Sequence, residues 1–113
     1  MASSGRLSAA AAERLFGEAV ALYREGDRAG AEKRLNRLRA AFPSHPDVCH
    51  LLGVVRLALG RPGEAIAPLR AALAVAEKER PDIVPGVLNA LGSALRGDGR
   101  PDEAAAVLRR ATA

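Results

Sequence analysis

Apolar residues recur along this chain every three or four positions, in runs that glycine interrupts. Leu15, Ala19 and Leu22 keep helical time before Gly26, and Leu35 and Leu38 keep it afterwards. The beat returns as Leu52, Val55 and Leu59 before Gly60, followed by Ile66, Leu69 and Leu73. It returns once more as Leu88, Leu91 and Leu95, then Val107 and Leu108. Such spacing lines one side of a helix with apolar side chains. The pattern predicts three units of helix, short turn and helix, about six helices in all.

The breaks carry turn chemistry. Gly26, Gly60 and either Gly97 or Gly99 suit the positive φ that ends a helix at little steric cost. Pro62 and Pro101 fall near the first position of the next helix, where a missing N–H is not needed. Glu64, Asp102 and Glu103 follow in the first turn, opposite the positive end of the helix dipole. Pro43, Pro46, Pro81 and Pro85 in "FPSHPD" and "ERPDIVP" separate the units. One domain over 8–113 is expected behind a flexible 1–7, with units at 12–45, 46–84 and 85–113. Pro68 lies inside a helix, where it removes a backbone hydrogen bond, favours a bend and costs up to about 3 kcal/mol. The extra residues before the third unit predict that this same helix is unusually long.

The units agree in detail as well as in rhythm. "LYREGDRAGAEKRLNRL", "LALGRPGEAIAPLRAAL" and "LRGDGRPDEAAAVLRRA" repeat one another, with the glycines 34 and then 39 residues apart. Ala31, Ala65 and Ala104 each come five residues after their glycine. A single hairpin cannot cover its own apolar face, so stacked copies cover one another.

Leu52-Gly53, Ala65, Leu69 and Ala72, matched by Leu91-Gly92, Ala104, Leu108 and Ala111, resemble the tetratricopeptide repeat. In the first unit Glu18-Ala19 replaces the usual Leu-Gly, while Ala31, Leu35, Leu38 and Pro43 agree; Leu15, Cys49 and Leu88 stand where a bulky aromatic is customary. The resemblance implies an all-α, right-handed superhelical array, an α-α solenoid. Small residues at Gly53, Ala65, Gly92 and Ala104 would let helix axes approach closely.

The resemblance also implies a concave groove lined by the first helix of each unit. Carried over position by position, that wall comprises Phe16, Val20, Tyr23 and Arg24, then His50, Leu51, Val54 and Leu57, then Asn89, Ala90, Ser93 and Arg96. Family members that clamp a chaperone's terminal carboxylate need charge-assisted donors there. Phe16, Val20, Leu51, Gly86 and Ala90 hold the equivalent places, so no clamp is expected. An apolar trough suits a peptide or an amphipathic helix of a protein partner. The other reading is an N-terminal substrate-selecting or dimerising domain of a larger bacterial enzyme, such as a sulfotransferase or glycosyltransferase. With no polar capping helix visible after the third unit, a homodimer through the groove or the last helix is a further expectation.

Composition changes this picture little. A chain of 113 residues, 49% hydrophobic but only 3% aromatic, is one helical domain rich in Ala and Leu. Its charge of +4 and pI near 10.2 invite a nucleic-acid reading. Fifteen Arg against two Lys is a bias that a GC-rich genome would produce without selection for polyanion binding, and the densest patch, Lys33, Arg34, Arg37 and Arg39, has no interleaved aromatics to stack bases. Neither nucleic acid nor membrane is expected as partner. The single Cys49 excludes an internal disulfide and no signal sequence is apparent, so a cytoplasmic protein is expected. "HPDVCH" offers His45, Asp47, Cys49 and His50, but on one helix Cys49 and His50 point about 100° apart and cannot share an ion. No metal, cofactor or catalytic residue is expected.

Overall fold

The computed structural model describes residues 7–112. They form six α-helices: α1 (Ala9–Arg24), α2 (Arg28–Ala41), α3 (Pro46–Ala58), α4 (Pro62–Glu79), α5 (Val84–Gly97) and α6 (Pro101–Thr112), with a 3₁₀ turn at Pro81–Ile83. No strand occurs among the described residues. Each helix packs on its chain neighbours, α3 also meets α5, and α1 does not pack on α6. The body measures 48 × 30 × 22 Å. This is an open stack of hairpins, an all-α repeat solenoid, and not a bundle closed on itself.

The turns form where the glycines predict them. Gly26, Gly60 and Gly99 have φ of 90°, 77° and 76°, the left-handed region that costs any other residue. Gly97 stays helical, so of the two candidates at the third turn it is Gly99 that reverses the chain. Pro46, Pro62 and Pro101 each begin a helix. Ser8 and Asp27 cap α1 and α2 by accepting from the amides of Ala11 and Gly30, at 3.0 and 2.9 Å.

Inside each hairpin the small residues set the distance between helices. A Cβ on Gly53 would stand 2.3 Å from Leu69 Cγ, and one on Gly92 2.5 Å from Leu108 Cδ2. Ala31, Ala65 and Ala104, the repeated alanines, are buried. The core falls into two clusters. One joins α1 and α2 to Val48, Leu52 and Val55 of α3, and the other joins Cys49 to α4, α5 and α6. Leu7 packs against the first cluster. Residues 1–6 of the expected flexible terminus lie outside the described residues.

As expected, α4 is the longest helix, and it runs unbroken through Pro68. The proline leaves the Glu64 carbonyl, four residues earlier, without its usual intrahelical donor. Arg56 of α3 supplies one, donating from Nη1 to that oxygen at 3.1 Å. The same guanidinium donates to Glu32 at 3.0 Å and to Asn36 at 2.9 Å, so one side chain ties α2, α3 and α4 together. Glu32 also accepts from Arg61 at 2.6 Å. Burial raises the Glu32 pKa, but the hydrogen bonds from Arg61 and Arg56 outweigh it and hold the carboxyl below its ordinary value.

Candidate functional site

The residues read as groove wall lie on α1, α3 and α5, and the three helices differ in character. On α1, Phe16, Val20 and Tyr23 are half-buried and Arg24 is exposed. On α3, His50, Leu51, Val54 and Leu57 are all half-buried. On α5, Ala90 is half-buried while Asn89, Ser93 and Arg96 are exposed. Apolar, partly covered surface is therefore concentrated toward the first repeat. All three aromatic residues of the chain, Phe16, Tyr23 and Phe42, belong to that repeat.

Of the wall residues, Phe16 enters a definite concavity. A hollow of about 350 Å³ opens where the start of α1, the end of α2 and the start of α3 meet. Phe16, Leu38, Phe42 and Val48 form its apolar lining, Ala9 and Ala12 its shallow side, and Glu13, His45 and Asp47 complete it. Leu38 and Val48 are buried beneath it, while Phe16 and Phe42 are half-exposed around it. Ala9, Ala12, Glu13 and Phe16 follow the i, i+3, i+4, i+7 spacing of a single helix face. Position-by-position carry-over missed Phe42 and Leu38 because both lie on a second helix. The signal available in the sequence was that Phe42 is one of only two phenylalanines.

The corresponding place between the second and third repeats is closed. There the equivalents of Phe16, Leu38, Phe42 and Val48 are His50, Ala72, Ala76 and Val87, and the last three are fully buried. The extra turn of α4 and the 3₁₀ turn bring Ile83 and Val84 onto the core. The His50 ring lies beside Gly86, whose added Cβ would meet Cε1 at 3.4 Å. Burial pushes the His50 imidazole below its ordinary pKa, partly countered by Asp47. Arg80 pairs with Asp47 at 3.1 Å and with Asp82 at 2.9 Å, which latches α4 to the start of α3.

"HPDVCH" scatters its candidate ligands. Cys49 is fully buried and donates its S–H to the Pro43 carbonyl at 3.3 Å. Burial raises its pKa, with Arg39 pulling the other way, so the thiol stays protonated and unreactive. His45 is exposed at the hollow and His50 packs on α5. The basic patch on α2 is also spread out: Arg34 pairs with Glu18 of α1 at 3.1 Å, while Lys33 and Arg37 are exposed. Among the described residues no helix is long and apolar enough to cross a membrane.

At the far end, α6 is a polar version of α4. Ile66 and Leu73, buried on α4, correspond to Ala105 and Thr112, both exposed. Leu108 and Val107 are half-buried, the former beneath Gly92 of α5. Ion pairs Arg70–Glu103 at 3.1 Å and Arg110–Glu77 join α6 back to α4. The last helix therefore carries smaller or more polar side chains than α4 at Ala105 and Thr112.

Family models for the tetratricopeptide repeat match residues 16–82 and 87–113. Among solved structures, the chain is similar to the globular C-terminal domain of P. aeruginosa LpoP, at 26% identity and a TM-score of 0.80, over 96% of this chain and 100% of that one. No curated protein matches the sequence. The first family match alone spans more than half of the chain, on a stack of six helices that carries the repeat's glycines and alanines in register, and the protein belongs to the tetratricopeptide repeat family.

Proposed function

We propose that this protein is an interaction module that holds a peptide or amphipathic helix of a partner protein along the faces of α1 and α3. One observation carries the reading: Phe16, Val20, Tyr23, Leu51, Val54 and Leu57 form an apolar series on successive first helices that the chain itself only half covers. Contiguous apolar surface and aromatic side chains are features of protein contact sites. Helix-in-groove recognition uses such a surface directly, through anchors one turn apart. The reading needs no catalytic group, and the one thiol, Cys49, is buried.

The polar outer face of α6 supports a foreign segment in preference to a second copy stacked on that helix. The similar LpoP domain stands at the C-terminal end of its own protein, a placement that supports an interaction module over an N-terminal enzyme domain. Because Cys49 is buried, the interaction surface does not depend on a reducing compartment.

The test is a comparison of captured partners between wild type and a Leu51→Glu, Val54→Glu double variant. Both positions are half-buried, so circular dichroism must first show that the variant folds. Loss of the captured set is the expected result. Survival of every partner would place the interaction elsewhere.

A further inference from the structure

We propose that the hollow between the first two repeats seats one apolar side chain of a basic amphipathic helix, whose Lys or Arg one turn away pairs with Glu13. The inference rests on the proposed interaction function and narrows it to one subsite and one partner chemistry.

Shape is the first support. A space of about 350 Å³ walled by Phe16, Leu38, Phe42 and Val48 is at the small end of ligand pockets and takes a Leu or aromatic side chain. Its equivalent at the next junction is sealed by Ala76 and Val87 with the His50 ring against Gly86, so the opening is specific to this place and not a general feature of the stack. Ala9 and Ala12 leave the adjoining face of α1 low, and a second helix can approach such a face closely.

Charge is the second. The chain carries +4 overall, yet no Lys or Arg lines the hollow, and its two fully charged neighbours are both carboxylates. Asp47 is already engaged by Arg80 at 3.1 Å. Glu13 is exposed and has no ion-pair partner among the described residues, so it is the one free to meet a cation. The negative end of α2 at this rim is offset by the positive ends of α1 and α3, so the sign of the hollow is set by its side chains. A local acidic rim on a basic protein rejects acidic segments and selects basic ones.

The test is selection of a displayed library of random peptides against the whole chain, followed by fluorescence anisotropy with the enriched peptides. Enriched sequences are expected to carry a large apolar residue with Lys or Arg three or four positions away. Ala12→Trp, which fills the hollow, is expected to weaken them at least about tenfold, and Glu13→Arg about three- to tenfold with a reduced salt dependence. Ala106→Ser, at an exposed position of α6 outside the groove wall and the hollow, is expected to leave them unchanged. Failure to enrich any peptide, enrichment without basic residues, or binding indifferent to both Ala12→Trp and Glu13→Arg overturns the inference. Binding lost in Leu51→Glu, Val54→Glu but kept in Ala12→Trp overturns it too, while leaving the proposed groove function standing.

Discussion

Where α2 meets α3, Phe16 and Phe42 stand apart around an open hollow; where α4 meets α5, the same positions hold His50 and Ala76, and the space is shut. The first junction is bolted by polar groups, with Arg56 and Arg61 converging on Glu32. The second is packed by apolar ones, with Ala72, Ala76, Val87 and Leu88 buried together and Ile83 laid against them. Two junctions of the same array thus solve the same stacking problem differently. The five residues inserted before the third repeat supply the extra cover at the second, and their absence leaves the first free to receive something else.

Exchanging the core residues of the two junctions should do the most damage. Leu38→Ala, which gives the first junction the small residue of the second without its extra turn, is expected to cost about 2–4 kcal/mol by urea unfolding. The reverse change, Ala72→Leu, crowds a sealed site and is expected to cost about 1–3 kcal/mol. If both were silent, the difference in packing would have no energetic content.

Next comes the polar bolt. Arg56→Ala leaves the Glu64 carbonyl and the half-buried Glu32 short of donors, at an expected cost of about 2 kcal/mol. In a Pro68→Ala background residue 68 regains an N–H that reaches the same carbonyl. The cost of Arg56→Ala should then fall by about 1 kcal/mol, an interaction that a double-mutant cycle measures.

A smaller effect of opposite sign is expected from filling the hollow. Ala12→Leu adds apolar atoms where space exists and should stabilise the chain by about 1 kcal/mol while weakening partner binding. An unchanged or lower melting temperature would show that the hollow is not available to a side chain.

Least in size is a pH effect confined to the second junction. His50 is held below its ordinary value of 6.5 in the folded chain, so it binds its proton more readily when unfolded. Its contribution is full above that value and is lost as pH falls through the folded pKa. His50→Gln should flatten this part of the stability–pH curve, whereas Phe16, its counterpart at the first junction, has nothing to titrate. A wild-type curve identical to that of the variant would mean the ring is more solvated than its packing on Gly86 indicates.

Much of this architecture was legible in the sequence because it depends on local rules repeated three times. Gly26, Gly60 and Gly99 mark the turns, Pro62 and Pro101 open helices, and Leu-Gly pairs foretell the contacts of Gly53 with Leu69 and of Gly92 with Leu108. Pro68 was legible as a defect but not its remedy, since the donor that replaces its N–H arrives from another helix and serves a backbone oxygen. The hollow was hidden for the same reason. Phe16 belongs to the wall by register, but Leu38 and Phe42 reach it only through the angle at which α2 ends against α3. Nor did counting repeats show that α6 is a polar ending; that required setting Ala105 and Thr112 beside Ile66 and Leu73.

The most direct test of where recognition resides is an NMR titration of the isotope-labelled chain with a selected peptide, followed through backbone amides and methyl groups. The largest shifts are expected at Ala9, Ala12, Leu38 and Val48 around the hollow, falling away along α3 and vanishing at Asn89 and Ser93. Shifts centred on α5 and α6, with the first junction undisturbed, would contradict it.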